Sequence, residues 1–253
     1  MPLRVSEPFP HVTQIAIDNP TKRNAMSRDD MAELARLWDR LDEDAACRAI
    51  VLTGVGDKGF CAGADIGGDL SAAAETANIV NRALLKTRAF SRPLIAAING
   101  DCAGGGLELL LSTDIRIAAT HARFGLPEVK WSIYPFGGAT VKLVQQIGYV
   151  HAMDLLLTAR LVDAEFARSI SLINRVLPAD QVLDDAMATA RLVAAHSPVA
   201  VQAVRQQVSD CIAEHARSRE PLEQTLGDRV RASPFFAEGV AAFREKRAPR
   251  YED

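Results

Sequence analysis

Glu108 and Glu128 each sit beside a stretch of chain suited to chemistry. Glu108 follows the turn signal Asn99-Gly100 and the run Gly104-Gly105-Gly106-Leu107, and Glu128 closes the loop Phe124-Gly125-Leu126-Pro127. Two carboxyls in a dry pocket can divide general-acid and general-base work when their surroundings push their pKa values apart. Glycine lets a second molecule approach the main chain closely. At a helix entry it leaves backbone N–H groups without an internal partner, at the positive end of the helix dipole. A negatively charged oxygen can rest there. Each feature also has a plain alternative. A glycine triplet permits tight helix packing, an acid in a first helical turn gains about 0.3–1 kcal/mol from the dipole, and a loop acid is ordinarily solvated. Nucleotide binding is not indicated: no Gly-Lys-Ser/Thr follows the glycines, and Gly104-x-Gly106-x-x-Leu109 lacks the third glycine of the dinucleotide fingerprint.

The elements that must position these acids are legible from periodicity. Leu94–Ile98 is a short apolar run, which predicts a buried strand, then a tight turn, then a helix from the glycines through Leu111. Val12–Ile17, Ala49–Thr53, Asp114–Ala118 and Leu172–Val176 also read as strands. Ser27 and Asp30 form a capping-box pattern ahead of Met31, Leu34, Leu37 or Trp38, and Leu41, which recur at helical spacing. Residues 71–90 read as helical with little chemistry. Segments 141–147, 152–158 and 164–169 read as helices, and the chain from about residue 180 as helical throughout. Ser197-Pro198 is a strong helix start. Strands alternating with helices predict an α/β fold with largely parallel pairing. A boundary near residue 195 separates a core from a helical region.

Composition narrows the function. The chain has 253 residues, 48% hydrophobic and 24% charged, with a net charge of -3. That is ordinary for a globular protein and gives no general attraction to nucleic acid or anionic membrane. Cys47, Cys61, Cys102 and Cys211 make no C-x-x-C pair, and the five histidines show no ligand spacing, so neither a disulfide framework nor a metal site is expected. Met1–Val5 opens no apolar signal segment and no run is long enough to span a membrane, which predicts a cytoplasmic protein. Cys61 has no histidine near it in sequence and reads as filler rather than nucleophile.

Three segments in order, Cys61-Ala62-Gly63-Ala64-Asp65-Ile66, Gly104-Gly105-Gly106-Leu107-Glu108 and Pro127-Glu128, resemble the crotonase superfamily, the enoyl-CoA hydratase/isomerase family. Asn19-Pro20-x-Lys22-Arg23-Asn24-Ala25 matches its early loop, Leu156-Leu157-Thr158 and Leu172–Val176 its middle, and Glu238-Gly239-x-x-Ala242-Phe243-x-Glu245-Lys246-Arg247 its tail. The resemblance covers nearly the whole chain. It implies a spiral of strand-strand-helix units over residues 1–195 and a helical trimerisation region over 196–253. It also implies a homotrimer or dimer of trimers.

By the same resemblance the substrate is an acyl-CoA thioester, coenzyme A enters only as part of it, and no separate cofactor is needed. The backbone N–H groups of Ala64 and Gly105 would hold the thioester oxygen, Glu108 would orient and deprotonate water, and Glu128 would serve the α carbon. The implied reaction is syn addition of water to a trans-2-enoyl-CoA, giving a 3-hydroxyacyl-CoA. Alternatives within the resemblance are an enoyl-CoA isomerase, a specialised hydroxyacyl-CoA dehydratase and a non-catalytic acyl-CoA binder. Ala62, Asp65 and Ile66 would line the thioester end. Lys22 and Arg23 would meet the nucleotide end, and Phe243 and Lys246 lie in a tail that often reaches a neighbouring subunit's ligand. Trp131, Tyr134 and Phe136 border the implied acyl pocket. The chain departs from the family in four places. Gly67 and Gly68 stand where a Lys often follows, one residue rather than two separates Pro135 from Gly137, and Ala159 and Ser171 replace usual glycines.

Overall fold

The computed structural model describes residues 3–65 and 74–252. Its larger sheet runs in the order β1 (Leu3–Phe9), β2 (Val12–Ile17), β3 (Ala49–Gly54), β5 (Leu94–Ile98), β7 (Ile115–Ala119), β10 (Arg175–Leu177). Only β1 pairs antiparallel; the other neighbours are parallel. β3 and β5 are buried at every position, as expected for parallel strands covered on both faces. Alternation along β3 divides two cores. Val51 joins Ile95, Ile117 and the helix α7 (Val182–Ala194) on one face. Ile50 and Leu52 join Leu94, Ile98 and Trp38 on the other.

A second, four-stranded sheet runs in the order β4 (Gly59–Cys61), β6 (Asp101–Ala103), β8 (Arg123–Gly125), β9 (Val162–Asp163). The chain visits the sheets in rhythm. β3 leads to β4 and then α2 (Ala74–Ala83). β5 leads to β6 and α3 (Gly105–Leu110). β7 leads to β8 and, after a 3-10 turn at Glu128–Trp131, to α4 (Ala139–Ile147). This is the strand-strand-helix spiral that the resemblance implies. The short strands escape a sequence reading because three residues are too few to show a period. β1 is missed too, since its exposed middle gives no apolar alternation.

The Ser27 capping box closes as expected, with Asp30 N–H donating to Ser27 Oγ and Ser27 N–H to Asp30 Oδ2. It opens α1 (Arg28–Glu43), whose Trp38 donates from Nε1 to Ala83 O at 2.8 Å. The stretch expected to be one helix over 71–90 contains α2, with irregular chain from Leu84 to Phe90, and its first residues lie outside the described ones. The last core strand starts at Arg175 rather than Leu172, because Leu172 O is taken by Arg116 Nη1 instead of a ladder. Ala159, after α5 (Tyr149–Thr158), and Ser171, after α6 (Ala164–Ser169), both adopt left-handed backbone, φ 53° and 64°. Glycine is the usual residue there because L side chains clash in that conformation.

Beyond α7 the chain is helical, as expected. α8 (Pro198–Arg231) begins on Ser197, whose side chain accepts from Ala200 N–H, and α9 (Pro234–Glu245) follows. No helix among the described residues is long and apolar enough to cross a membrane.

Candidate active site

Four elements converge on the two acids. α3 begins at Gly104, whose φ of 55° and ψ of -131° only glycine adopts freely. Gly63, also at positive φ, lies directly against Gly105 N, and the Cβ position of Gly105 is 3.5 Å from Ala64 N. The N–H groups of Ala64 and Gly105 are therefore neighbours, and neither donates to an acceptor among the described residues. Ala64 is held there by a parallel bridge to Met26, in which Met26 N–H donates to Gly63 O and Asp65 N–H to Met26 O. Two free, preorganised donors can stabilise an oxyanion, a contribution typically worth about 10²–10³ in rate.

Glu108 rises from α3 one turn in and is 4% exposed. Ala139 N–H donates to its Oε1 at 3.1 Å, and the neighbouring Gly137 backbone N–H also favours its charged form. A side chain on Gly137 would collide with the Glu108 carboxylate, so glycine is required at this approach. The short aromatic segment before α4 thus wraps the carboxyl. Glu128 starts the 3-10 turn. The residue is half-buried, and its Oε2 is enclosed with no hydrogen-bond partner among the described residues. Its Oε1 lies 3.1 Å from the Cβ position of Gly104, beside the paired donors.

Burial pushes both carboxyls above the ordinary range. For Glu108 the two backbone N–H groups and the Lys86 charge pull back; for Glu128 the Glu108 charge pushes further. The two titrate as a pair. Glu108, with more donors, is the better carboxylate, and Glu128 the better holder of a shared proton. One base, one acid and two oxyanion donors can activate water, protonate a carbon and stabilise an enolate.

The other expected residues divide. Lys22 Nζ meets Asp65 Oδ2 at 2.6 Å, which brings both to the residue after Ala64. Arg23 pairs with Asp101 at 3.3 Å, and its carbonyl accepts from Ala62 N–H. Ile66 lies outside the described residues. Tyr134 and Phe136 pack edge to face at 5.3 Å. Phe136 is wedged against Gly227 of α8 with the Arg231 guanidinium over its ring. Trp131 packs on Phe243 of α9 at 5.3 Å, so these two rings brace the Glu128 turn. Tyr251 Oη adds a bond to Lys130 O. Lys246 ends α9 in an exposed left-handed conformation. Cys61 is buried, with its thiol pushed up to about 12 by burial, which suits filler and not a nucleophile. No group of metal-ligating side chains occurs among the described residues.

Sequence reasoning missed the charges behind the site. Lys86 and Glu223 are both buried and paired, and Lys142 is buried with its pKa brought down to about 7 by desolvation. Charged residues inside helical patterns carry no local mark of burial. Lys86 lies in the stretch expected to hold little chemistry.

A family model described as "Enoyl-CoA hydratase/isomerase" matches residues 10–253. An enoyl-CoA hydratase, EchA19, of Mycobacterium tuberculosis is 39% identical over 96% of this chain and 94% of that protein. A mevalonyl-coenzyme A hydratase of Aspergillus fumigatus is 35% identical over 98% and 93%. Among solved structures, a carnitinyl-CoA hydratase from Mycobacterium avium superposes with a TM-score of 0.88 at 32% identity, covering 99% of this chain and 98% of that one.

Proposed function

The chain belongs to the enoyl-CoA hydratase/isomerase family and is an enoyl-CoA hydratase; from that premise we propose how its residues divide the work. The Ala64 and Gly105 N–H groups hold the thioester oxygen. Glu108, as carboxylate, takes a proton from water as the water oxygen bonds to the β carbon. The π electrons move onto the thioester oxygen as an enolate, and Glu128 gives its proton to the α carbon. Glu108 ends protonated and Glu128 ionised, and one proton exchanged between them resets the pair. The observation that carries this reading is the inequality of the two carboxyls. Glu108 is held by backbone N–H groups, while Glu128 is enclosed with a free oxygen.

Lys22 and Arg23 we assign to the coenzyme's nucleotide end, a reading supported by the resemblance of the Asn19–Ala25 loop to the family's early loop. Residues 196–253 serve as a helical region that assembles a trimer or a dimer of trimers. Val204 and Val208 on α8 support this, since they remain exposed in the single chain. Free cysteines, three of them buried, suit a cytoplasmic protein.

The test is 3-hydroxyacyl-CoA formation by wild type, Glu108→Gln and Glu128→Gln across a panel of enoyl-CoA chain lengths. Each substitution should lower hydration by about 10²–10⁴, the usual contribution of a general acid or base. Acyl-CoA affinity should hold, because the oxyanion donors are main-chain groups. Hydration that survives both substitutions refutes the two-carboxylate mechanism. A double bond that migrates without hydroxyacyl product marks an isomerase.

A further inference from the structure

Behind Glu108 lies a buried ion pair to which the reaction as described gives no task. Lys86 Nζ, in the irregular chain after α2, is 2.8 Å from Glu223 Oε2 on α8, with side-chain exposures of 4% and 5%. Burying two ions costs several kcal/mol each in desolvation, so such a pair is weak as a stabilising device. Its position is specific. The Cβ position of Gly138 is 3.1 Å from Lys86 Cγ, while the adjacent Gly137 abuts the Glu108 carboxylate. Thr140, two residues on, donates from Oγ1 to Glu223 Oε1 at 2.8 Å. The pair therefore backs the Gly137–Ala139 segment whose N–H groups hold Glu108. Lys86 also stands 3.7 Å from Glu220, which accepts from Asn81.

We propose that Lys86 and Glu223 are positioning residues: together they seat the Gly137–Ala139 backbone against Glu108 and balance the charge that Glu108 carries. The proposal rests on the reading of Glu108 as the base. The Lys86 charge favours the Glu108 carboxylate, and the Glu223 charge opposes it. The other groups that face Glu108 are Glu128 on its turn, Lys142 on α4 and Tyr134. Lys142 donates to Leu85 O and Ser112 Oγ, and the Lys86 charge disfavours its protonated form.

The experiment is the pH dependence of kcat/KM for hydration in Lys86→Met, Glu223→Gln, the double variant and Lys86→Arg. The acid limb reports protonation of the free enzyme's carboxyl pair. Loss of the Lys86 charge should move that limb up by about one pH unit, and loss of the Glu223 charge should move it down by a similar amount, the order that one incompletely screened charge produces. The double variant should bring the limb back toward wild type, and Lys86→Arg should leave it in place. Packing alone would lower kcat without such opposed displacements. Limbs that stay fixed, or move the same way in both single variants, overturn the proposal. Glu223→Gln keeps shape and an acceptor for Thr140, so it decides the matter even where Lys86→Met does not fold. Full hydration in Glu108→Gln would instead remove the reading of Glu108 as base, an outcome separate from an unmoved limb.

Discussion

A carboxyl enclosed with one oxygen unpartnered, as in Glu128, costs stability whenever it is ionised. Its pKa in the folded chain is raised from the ordinary 4.5 by burial and by the Glu108 charge. The folded state therefore binds the proton more tightly than the unfolded state does. That advantage is complete below the unfolded value and is lost as pH rises through the folded one. Glu128→Gln removes the ionisable group and keeps the shape. It should raise the melting temperature at pH near 9 by a few degrees, at about 2–4 °C per kcal/mol for a chain of this size, and should change it little near pH 4. Melting curves at both pH values check this. An equal gain at both would mean that the proton on Glu128 has no part in the folding balance. Greater stability with lost hydration is the behaviour of a residue kept for chemistry.

Elements show the same trade at two helix ends. Ala159 and Ser171 hold left-handed backbone with a Cβ, at a cost of roughly 1–2 kcal/mol each. Glycine would remove that strain and lose part of the gain to unfolded-chain entropy, about 0.4–1 kcal/mol. Ala159→Gly and Ser171→Gly should each stabilise by about 0.5–1 kcal/mol in urea melts; a loss of stability would show that Cβ contacts outweigh the strain. The sequence disclosed these positions only as departures from a pattern, and backbone angles supply their meaning. Runs such as Ala49–Thr53 and Leu94–Ile98 were legible as buried strands because composition is apolar and strand-forming over five residues. β4, β6 and β8 were not, and they are what turn the alternation into a spiral and bring Gly63 against Gly105. The two glutamates stood out only through the family resemblance, since either alone reads as a dipole-favoured or a solvated acid. The Lys86–Glu223 pair was not, because its partners are 137 residues apart and meet only when α8 packs behind the site. The braces on the Glu128 turn, Phe243 and Tyr251, likewise come from the far end of the chain.

At the scale of the molecule, the first half of α8 is the element without a sufficient partner. Val204 and Val208 are 68% and 62% exposed, and Val199 still more so. With Val201 and Ile212, Val204 and Val208 form one wall of a cavity of about 810 Å³ between α8 and the core. Val201, Val204 and Val208 are expected, from the resemblance of the tail, to be buried against other elements or other subunits; Val204 and Val208 are not covered within one chain. Apolar surface removed from water gains about 25 cal/mol per Å², and a contiguous exposed patch on a soluble protein marks an interaction face. A closed ring of three copies covers such a face on every subunit at once. Light scattering at micromolar concentration should therefore give a mass about three or six times that of the 27.3 kDa chain. Val204→Glu combined with Val208→Glu places a charge on the face in each copy and should shift the mass toward one chain. The Glu108 and Glu128 site is built from elements of a single chain, so a dissociated variant that still folds should keep its carboxyl pair. Its turnover should fall only to the extent that α8, and with it Glu223, loosens. Wild type that scatters as a monomer, or a double variant that assembles unchanged, would place the interface elsewhere and leave this stripe as ordinary solvent-facing valine.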